Sequence, residues 1–189
     1  MTVKIMPLPR EGVRPALGEL TEVYRSAFSQ PPYNENRADG DAFAARLRFH
    51  SLRNGFRCYI ARESRRDALV GFAYGYTGGP GLWWFDLVRQ AISHEAYHYW
   101  LSDYFEFVEL AVTPVFQGQR IGSQLHDHLL TGLAYRTAVL STIQAETRAM
   151  KLYTRRGWTP LARNYHFPGS DDLYVIMGLD LQKKKVDNH

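Results

Sequence analysis

The stretch that decides the fold is Glu106-Phe-Val-Glu-Leu-Ala-Val-Thr-Pro-Val-Phe-Gln-Gly-Gln-Arg-Ile-Gly-Ser123. It begins as an apolar strand with two carboxylates, and Thr113-Pro114 ends that strand. A turn at Gln117-Gly118 then leads into a helix. The apolar positions of that helix recur at helical spacing: Ile121, Leu125, Leu129 and Leu133. The first turn of a helix has unpaired N–H groups and the positive end of the helix dipole, so the stretch predicts an anion site.

Length and composition limit the classes of protein to consider. The 189 residues, 45% of them hydrophobic, suit one globular domain, which we expect to span residues 1–189. No apolar run approaches the roughly 20 residues that cross a bilayer, and the N-terminus does not resemble a signal peptide. The single Cys58 cannot form an internal disulfide. We therefore expect a cytoplasmic protein without a membrane partner, and the mild net charge of +4 gives no reason to expect a nucleic-acid partner.

Apolar periodicity predicts the order of the elements. That order is one strand, two helices, three strands, a helix, a strand, a helix and two strands. We expect the first helix to start at Pro15 and the second to be capped by Asp41. An aromatic, partly helical segment over residues 82–102 is inserted before the motif strand. The expected fold is α/β, with about four helices flanking a mixed sheet of about seven strands.

A second motif follows about 25 residues later, Ala149-Met-Lys-Leu-Tyr-Thr-Arg-Arg-Gly-Trp158. With residues 110–122, it resembles the GNAT superfamily of acetyl-CoA-dependent N-acyltransferases. That family has a pyrophosphate loop of the form Gln/Arg-x-x-Gly-x-Gly/Ala after a strand ending in Leu-x-Val-x-Pro, and a later helix with Ala-x-x-Leu-Tyr-x-x-x-Gly-Phe/Trp. The resemblance implies the GNAT fold, with a mostly antiparallel sheet.

Two residues depart from the family pattern. Arg120 replaces the first Gly of the loop, and Glu146 replaces an Asn that often precedes the later helix. Arg120 keeps its backbone N–H, and its guanidinium has the chemistry to contact a coenzyme phosphate.

The resemblance implies acetyl-CoA as the cofactor. The implied coenzyme-binding residues are Leu110, Ala111, Val112, Gln117, Gly118, Gln119, Arg120, Ile121, Gly122, Ser123 and Tyr153. Tyr153 matches the family tyrosine that protonates the departing coenzyme sulfur. A phenol with a pKa of about 10 can supply a proton to a thiolate. The alternative is a helix tyrosine that only fills the core.

Two glutamates compete for the role of general base. Strand alternation puts Glu106 and Glu109 on opposite faces unless a bulge intervenes. We predict Glu109, which lies next to the segment implied to hold the thioester, residues 110–112. An ion pair is the alternative for Glu109, and Glu106 or a water molecule is the alternative base.

The acceptor side is less defined. We predict that Tyr33, Trp83, Trp84 and Glu106 line the acceptor pocket. The alternative is that the aromatic residues complete the core or form a homodimer interface. His94 and His98 share a helix face, but the sequence offers no third ligand in place, so we expect no metal.

The resulting prediction is an N-acetyltransferase that moves acetyl from acetyl-CoA to a primary amine of a small molecule or peptide by direct attack. The alternative is a non-catalytic acyl-CoA-binding sensor or interaction module of the same fold. A nucleotide-binding or nucleic-acid-binding α/β domain is a third alternative, which rests on the basic balance alone.

Overall fold

The computed structural model describes residues 2–183, and these residues form seven strands and six α-helices. The strands are β1 (Val3–Pro7), β2 (Arg57–Glu63), β3 (Ala68–Thr77), β4 (Tyr104–Val112), β5 (Thr137–Ile143), β6 (Thr159–Tyr165) and β7 (Tyr174–Asp180). The helices are α1 (Arg10–Phe28), α2 (Arg37–His50), α3 (Trp83–Ala91), α4 (His94–Trp100), α5 (Ile121–Leu130) and α6 (Arg148–Arg155). A short 3-10 turn, Pro114–Phe116, follows β4. The expected domain limits, residues 1 and 189, lie outside the described residues.

The strands form one mixed sheet in the order β1-β2-β3-β4-β5-β7-β6. The pairs β1–β2, β2–β3, β5–β7 and β6–β7 are antiparallel. The pair β4–β5 is parallel, with Tyr104, Phe105 and Glu106 opposite residues 137–139. A parallel pair needs a crossover, which the 3-10 turn and α5 provide here. The expected α/β class and the mostly antiparallel sheet are confirmed.

The described chain forms two compact units. The first comprises the described residues up to Tyr76 together with Val108–Gly132, and the second comprises Thr77–Phe107 together with the described residues from Leu133 onward. In the first unit, α1 and α2 pack against the sheet through a continuous core. Rings stack at its centre, with 4.1 Å between the centroids of Tyr24 and Phe43. That packing fixes the positions of polar groups described below.

The second unit has a core of its own. Its buried members are Phe85, Val88, Ile92, Leu101, Tyr104, Val139, Phe167 and Ile176. Helix α4 packs closely on β7, because a Cβ at Gly178 would lie 2.5 Å from the Trp100 ring. The aromatic insertion therefore supplies core residues, and its two helices, α3 and α4, raise the number of helices from the expected four to six.

Helix α1 begins earlier than the sequence suggested. It starts at Arg10 after an N-cap at Pro9, so Pro15 lies inside the helix and not in its first turn. Pro15 removes one backbone hydrogen bond. The residue lies on the exposed face of α1, where water can satisfy the carbonyl that is left without its partner.

The expected cap of α2 was also wrong. The helix begins at Arg37, and the N-cap Asn36 accepts hydrogen bonds from Ala38 and Asp39 while Asp39 binds the N–H of Asn36. This reciprocal pair is a capping box with Asp in place of the usual Glu. Asp41 instead lies beyond the first turn of α2.

None of the described helices is both long enough and apolar enough to span a bilayer.

Candidate active site

The loop after β4 is tied to the strands that precede it. The side-chain amide of Gln117 donates to the Val112 carbonyl at 2.9 Å, and the Thr113 N–H donates to the Val70 carbonyl of β3 at 2.9 Å. In both bonds the acceptor is a backbone carbonyl, so no second side chain is needed to hold the loop. The loop is therefore held at the end of β4.

The backbone of this loop takes two left-handed residues before α5. Gly118 has φ 78°, and Arg120, the N-cap of α5, has φ 64°. This conformation favours glycine, and a residue with a Cβ pays about 1–2 kcal/mol for it. Arg120 thus adopts the conformation that the family glycine permits, which explains why a glycine is usual there. Gln119 is also anchored, since its side-chain amide donates to the Val115 carbonyl at 3.2 Å.

The N-terminus of α5 presents uncapped N–H groups. The N–H of Gln124 donates to the Arg120 carbonyl at 3.0 Å, so the N–H groups of residues 121–123 precede that intrahelical bond. The N-cap side chain of Arg120 makes no capping hydrogen bond. An uncapped first turn with the positive end of the dipole is suited to bind a phosphate group.

The segment at residues 110–112 lies close to the neighbouring strand β3. A Cβ at Gly71 would lie 3.0 Å from the Ala111 carbonyl oxygen. Glycine at this position lets the two backbones approach, so the segment's position depends on Gly71.

Glu109 immediately precedes this segment and has an altered acidity. The pKa of its carboxyl is raised from 4.5 to about 7, with burial as the largest cause and the Glu35 charge acting in the same direction. The Arg46 guanidinium and the Leu110 N–H act in the opposite direction and favour the ionised form. A carboxylate with a pKa near neutrality is suited to accept a proton.

Two tyrosines lie within the electrostatic influence of Glu109. Burial, followed by the Glu109 charge, raises the pKa of both Tyr24 and Tyr74, so both phenols stay protonated. The Tyr74 hydroxyl lies 3.1 Å from Nδ1 of His50. Burial, followed by the charges of Arg53 and Arg46, lowers the pKa of His50 to about 4, so this histidine is neutral at pH 7. Among these four side chains, Glu109 is therefore the one whose pKa lies near 7.

A polar groove of about 450 Å³ lies where α1 meets α2. Its lining residues are Glu22, Arg25, Ser29, Glu35, Asn36 and Arg37. Glu35 interacts with the Tyr24 hydroxyl, and its Oε2 atom is buried without a hydrogen-bond partner among the described residues. Burial raises the pKa of Glu35. Through Glu35, the groove is electrostatically coupled to Glu109.

Tyr153 is buried in the second unit. Its ring lies 6.0 Å from Phe107 and 5.7 Å from Trp158, centroid to centroid. Helix α6, which carries it, is capped by the Thr147 hydroxyl, which accepts from the Met150 N–H. The ring therefore has a packing role, and the acid role of the hydroxyl stays a prediction.

Two of the predicted acceptor residues lie in different units. Tyr33 is half-buried in the loop between α1 and α2, with its ring edge-on to Phe28 at 4.8 Å. It thus shares the unit of Glu109. Glu106 is 4% exposed and pairs with Val139 in the second unit.

The two predicted tryptophans also belong to the second unit. The indole N–H of Trp84 donates to the Ser141 hydroxyl at 2.9 Å, and Trp84 packs against the core. Trp83 is 62% exposed, and its ring lies 5.9 Å from Phe167. The packing alternative therefore describes Trp84, while the surface of Trp83 is free to take part in an interaction.

Sequence reasoning missed most of the groups around Glu109. The site residues predicted from the sequence do not include Tyr24, Arg46, Tyr74 or His50. Glu35 was not selected as a site residue. The available signal was the presence of polar side chains at positions that periodicity assigns to the core, as at Tyr24 and Tyr74.

Comparisons with known proteins identify the family and the fold. A sequence model of the acetyltransferase (GNAT) family matches residues 19–158. A GCN5-like protein acetyltransferase of Mycobacterium tuberculosis is 36% identical over 129 residues, which are 64% of this chain and 63% of that protein. The match thus spans less than two thirds of that relative's length.

Solved structures share the fold at low identity. The ribosomal-protein-S18-alanine N-acetyltransferase of Escherichia coli has a TM-score of 0.61 and 17% identity, with 95% of this chain and 94% of that chain covered. The PaiA N-acetyltransferase of Thermoplasma acidophilum, solved in complex with coenzyme A, has a TM-score of 0.61 and 15% identity, with 95% and 99% covered.

Proposed function

The chain belongs to the GNAT family of acetyltransferases, and on that premise we propose that it transfers an acetyl group from acetyl-CoA to a primary amine by direct attack. The observation that carries this proposal is Glu109, a carboxylate with a pKa of about 7 directly before the segment implied to hold the thioester. A sensor that only binds the coenzyme has no need of a base at that position.

The coenzyme-binding residues in this proposal are those of the loop and of the first turn of α5. The uncapped N–H groups of residues 121–123 would hold the pyrophosphate, together with the loop from Gln117 to Arg120. Backbone groups of residues 110–112 would hold the pantetheine arm. Acetyl-CoA, when bound, supplies the activated acetyl group.

Glu109 and Tyr153 would move the protons. An amine such as lysine has a pKa of about 10.4 and is mostly protonated at pH 7, so it cannot attack until a base removes a proton. Glu109 accepts that proton on its carboxylate. Tyr153 would hold the proton needed by the departing sulfur on its hydroxyl.

The acceptor we infer is a lysine side chain of a protein or peptide. The relative with 36% identity is named a protein acetyltransferase, and this name favours a peptide over a small amine. Tyr33, Trp83, Trp84 and Glu106 remain the proposed acceptor-contacting residues. We also propose that residues 1–189 act as one domain, since the family match runs through both units.

Ligand-dependent thermal stability, followed by an acetylation assay, tests the proposal. Acetyl-CoA at about 100 times its dissociation constant should add roughly 2.7 kcal/mol to the free energy of unfolding, while NAD should add none. The same preparation should acetylate a lysine peptide. A shift without transfer to any peptide or small amine would favour the sensor, and the absence of a shift with acetyl-CoA and CoA would overturn the coenzyme assignment.

A further inference from the structure

Two exposed histidines lie one turn apart in α4, in the unit that does not contain Glu109. Their Nε2 atoms are 3.1 Å apart, and the ring centroids are separated by 4.4 Å. Positions four residues apart are neighbours on a helix surface, so the backbone brings both rings to one side. We propose that His94 and His98 chelate one borderline divalent transition-metal ion, such as Ni²⁺, Cu²⁺ or Zn²⁺, through these two nitrogen atoms.

The separation of the two nitrogens fits adjacent positions on a metal ion. With metal–nitrogen distances of about 2.0–2.1 Å, two nitrogens 3.1 Å apart subtend an angle of roughly 100° at the ion. This angle lies between the values for tetrahedral and octahedral coordination. Without a metal, one Nε2 carries a hydrogen and donates it to the other. With a metal, both Nε2 lone pairs face the ion. Each ring then carries its hydrogen on Nδ1, and that N–H can donate a hydrogen bond to water.

The backbone beneath the pair is held in place. Ser93 caps α4 through its hydroxyl, which accepts from the Ala96 N–H at 3.2 Å. At the other end, the Thr137 hydroxyl donates to the Trp100 carbonyl at 2.8 Å, and Leu101 is buried. The two histidines therefore start close to the chelating geometry, which lowers the entropy that binding costs.

The expected class of ion follows from the ligands. Imidazole nitrogens favour Ni²⁺, Cu²⁺ and Zn²⁺, while Mg²⁺ and Ca²⁺ prefer oxygen. No group of three or more His, Cys, Asp or Glu within residues 2–183 has the arrangement of a metal site, so water would fill the remaining positions. The sequence expectation of no metal rested on the missing third ligand. The geometry points to a two-ligand, weaker and exchangeable site.

Other histidines offer a matched control. His166 is exposed and lies just after β6, outside this pair. His166→Gln should therefore remove a surface imidazole without changing the chelate. His98→Gln removes one of the two ligands and leaves His94 in place, and His94→Gln is the reciprocal change. All three positions are exposed, so we expect all three variants to fold.

Calorimetric titration of the untagged full chain with NiCl₂ in a non-coordinating buffer tests the proposal. The wild type and His166→Gln should bind one ion per chain. His98→Gln and His94→Gln should bind about tenfold more weakly or worse, because the second contact is no longer intramolecular. MgCl₂ should give no binding. Equal Ni²⁺ affinity in the wild type and both variants, or one ion shared by two chains, would overturn the site. If a variant unfolds, the reciprocal variant decides.

Discussion

The side-chain amide of Gln117 donates a hydrogen bond of 2.9 Å to the carbonyl of Val112, which joins the loop before α5 to β4, the strand that carries Glu109. Gln117→Ala would remove this hydrogen bond, which contributes about 1 kcal/mol. We expect the dissociation constant for acetyl-CoA to rise about fivefold, since the loop is less often in its binding geometry. Calorimetry measures the change.

Gln119 provides the control for that experiment. Its amide also donates to a backbone carbonyl, that of Val115, but in an exposed part of the loop. Water can replace an exposed hydrogen bond at little cost. The contact proposed for residue 119 is made by the loop backbone, which alanine keeps, so Gln119→Ala should bind acetyl-CoA nearly as the wild type does. Equal losses in both variants would mean that the amides act through the coenzyme and not through the strand.

Replacement of Glu109 should change the pH dependence of transfer. The pKa of its carboxyl is raised to about 7, so the base is ionised above and protonated below that value. We expect kcat/KM of the wild type to rise with pH through about 7. In Glu109→Gln, kcat/KM should fall by about 10²-fold or more, and the remaining activity should no longer rise with pH through about 7. A variant with the wild-type profile would move the role to Glu106 or to water.

The same raised pKa has a consequence for stability. The folded pKa of Glu109 exceeds its ordinary value of 4.5, so the folded state binds more protons than the unfolded state between pH 4.5 and about 7. The contribution of Glu109 to the free energy of unfolding therefore decreases as pH rises through this window. Glu109→Gln should remove this decrease, and urea unfolding at pH 5 and pH 8 measures the difference between the two proteins. A difference that does not depend on pH would contradict the raised pKa.

Arg46 should shift the pH profile without taking part in the chemistry. Its positive charge lowers the pKa of Glu109, so Arg46→Gln should move the rise in kcat/KM to higher pH. Arg46→Lys keeps the charge and should restore most of the wild-type profile. Arg48→Gln, an exposed change on the same helix, is the control and should leave the midpoint unchanged. If the midpoint of the pH profile does not move in Arg46→Gln, the electrostatic role of Arg46 is contradicted.

Local patterns were sufficient to predict part of this protein. The start of α5 after Arg120 and the order of the seven strands along the chain follow from hydrophobic periodicity and turn residues. Both signals are visible in the sequence. The sequence also carries the cap of α2, as Asn36-x-x-Asp39, but the prediction used only Asp41. The Ser93 cap likewise marks the break between α3 and α4.

The surroundings of Glu109 could not be predicted in the same way. Tyr24 and Arg46 come from two different helices and Tyr74 from a third element, so their convergence depends on tertiary packing. Nothing in the spacing of these residues signals it. The raised pKa of Glu109 depends on burial, which is a property of the folded structure and not of the local sequence.

Tyr153→Phe separates the acid role from packing. The ring packs between Phe107 and Trp158, and phenylalanine keeps that ring, so stability and acetyl-CoA affinity should change little. If the hydroxyl supplies the proton, kcat should fall by about 10²-fold or more. Tyr165→Phe, on β6 in the same unit, is the control. Rapid-quench turnover measures the step, and equal rates in all three proteins would leave Tyr153 as a packing residue.

Arg120→Gly should improve folding while testing a phosphate contact. Glycine adopts φ 64° without the Cβ penalty, so the free energy of unfolding should rise by about 1 kcal/mol, less the entropy that glycine adds to the unfolded chain. Arg120→Ala keeps the Cβ and should not gain stability. If the guanidinium contacts a coenzyme phosphate, both variants should bind acetyl-CoA more weakly and with less dependence on salt. If only Arg120→Gly is more stable and both variants bind acetyl-CoA as the wild type does, the Arg120 side chain does not contact a phosphate. The loop then keeps the strained backbone at residue 120 without a gain in binding.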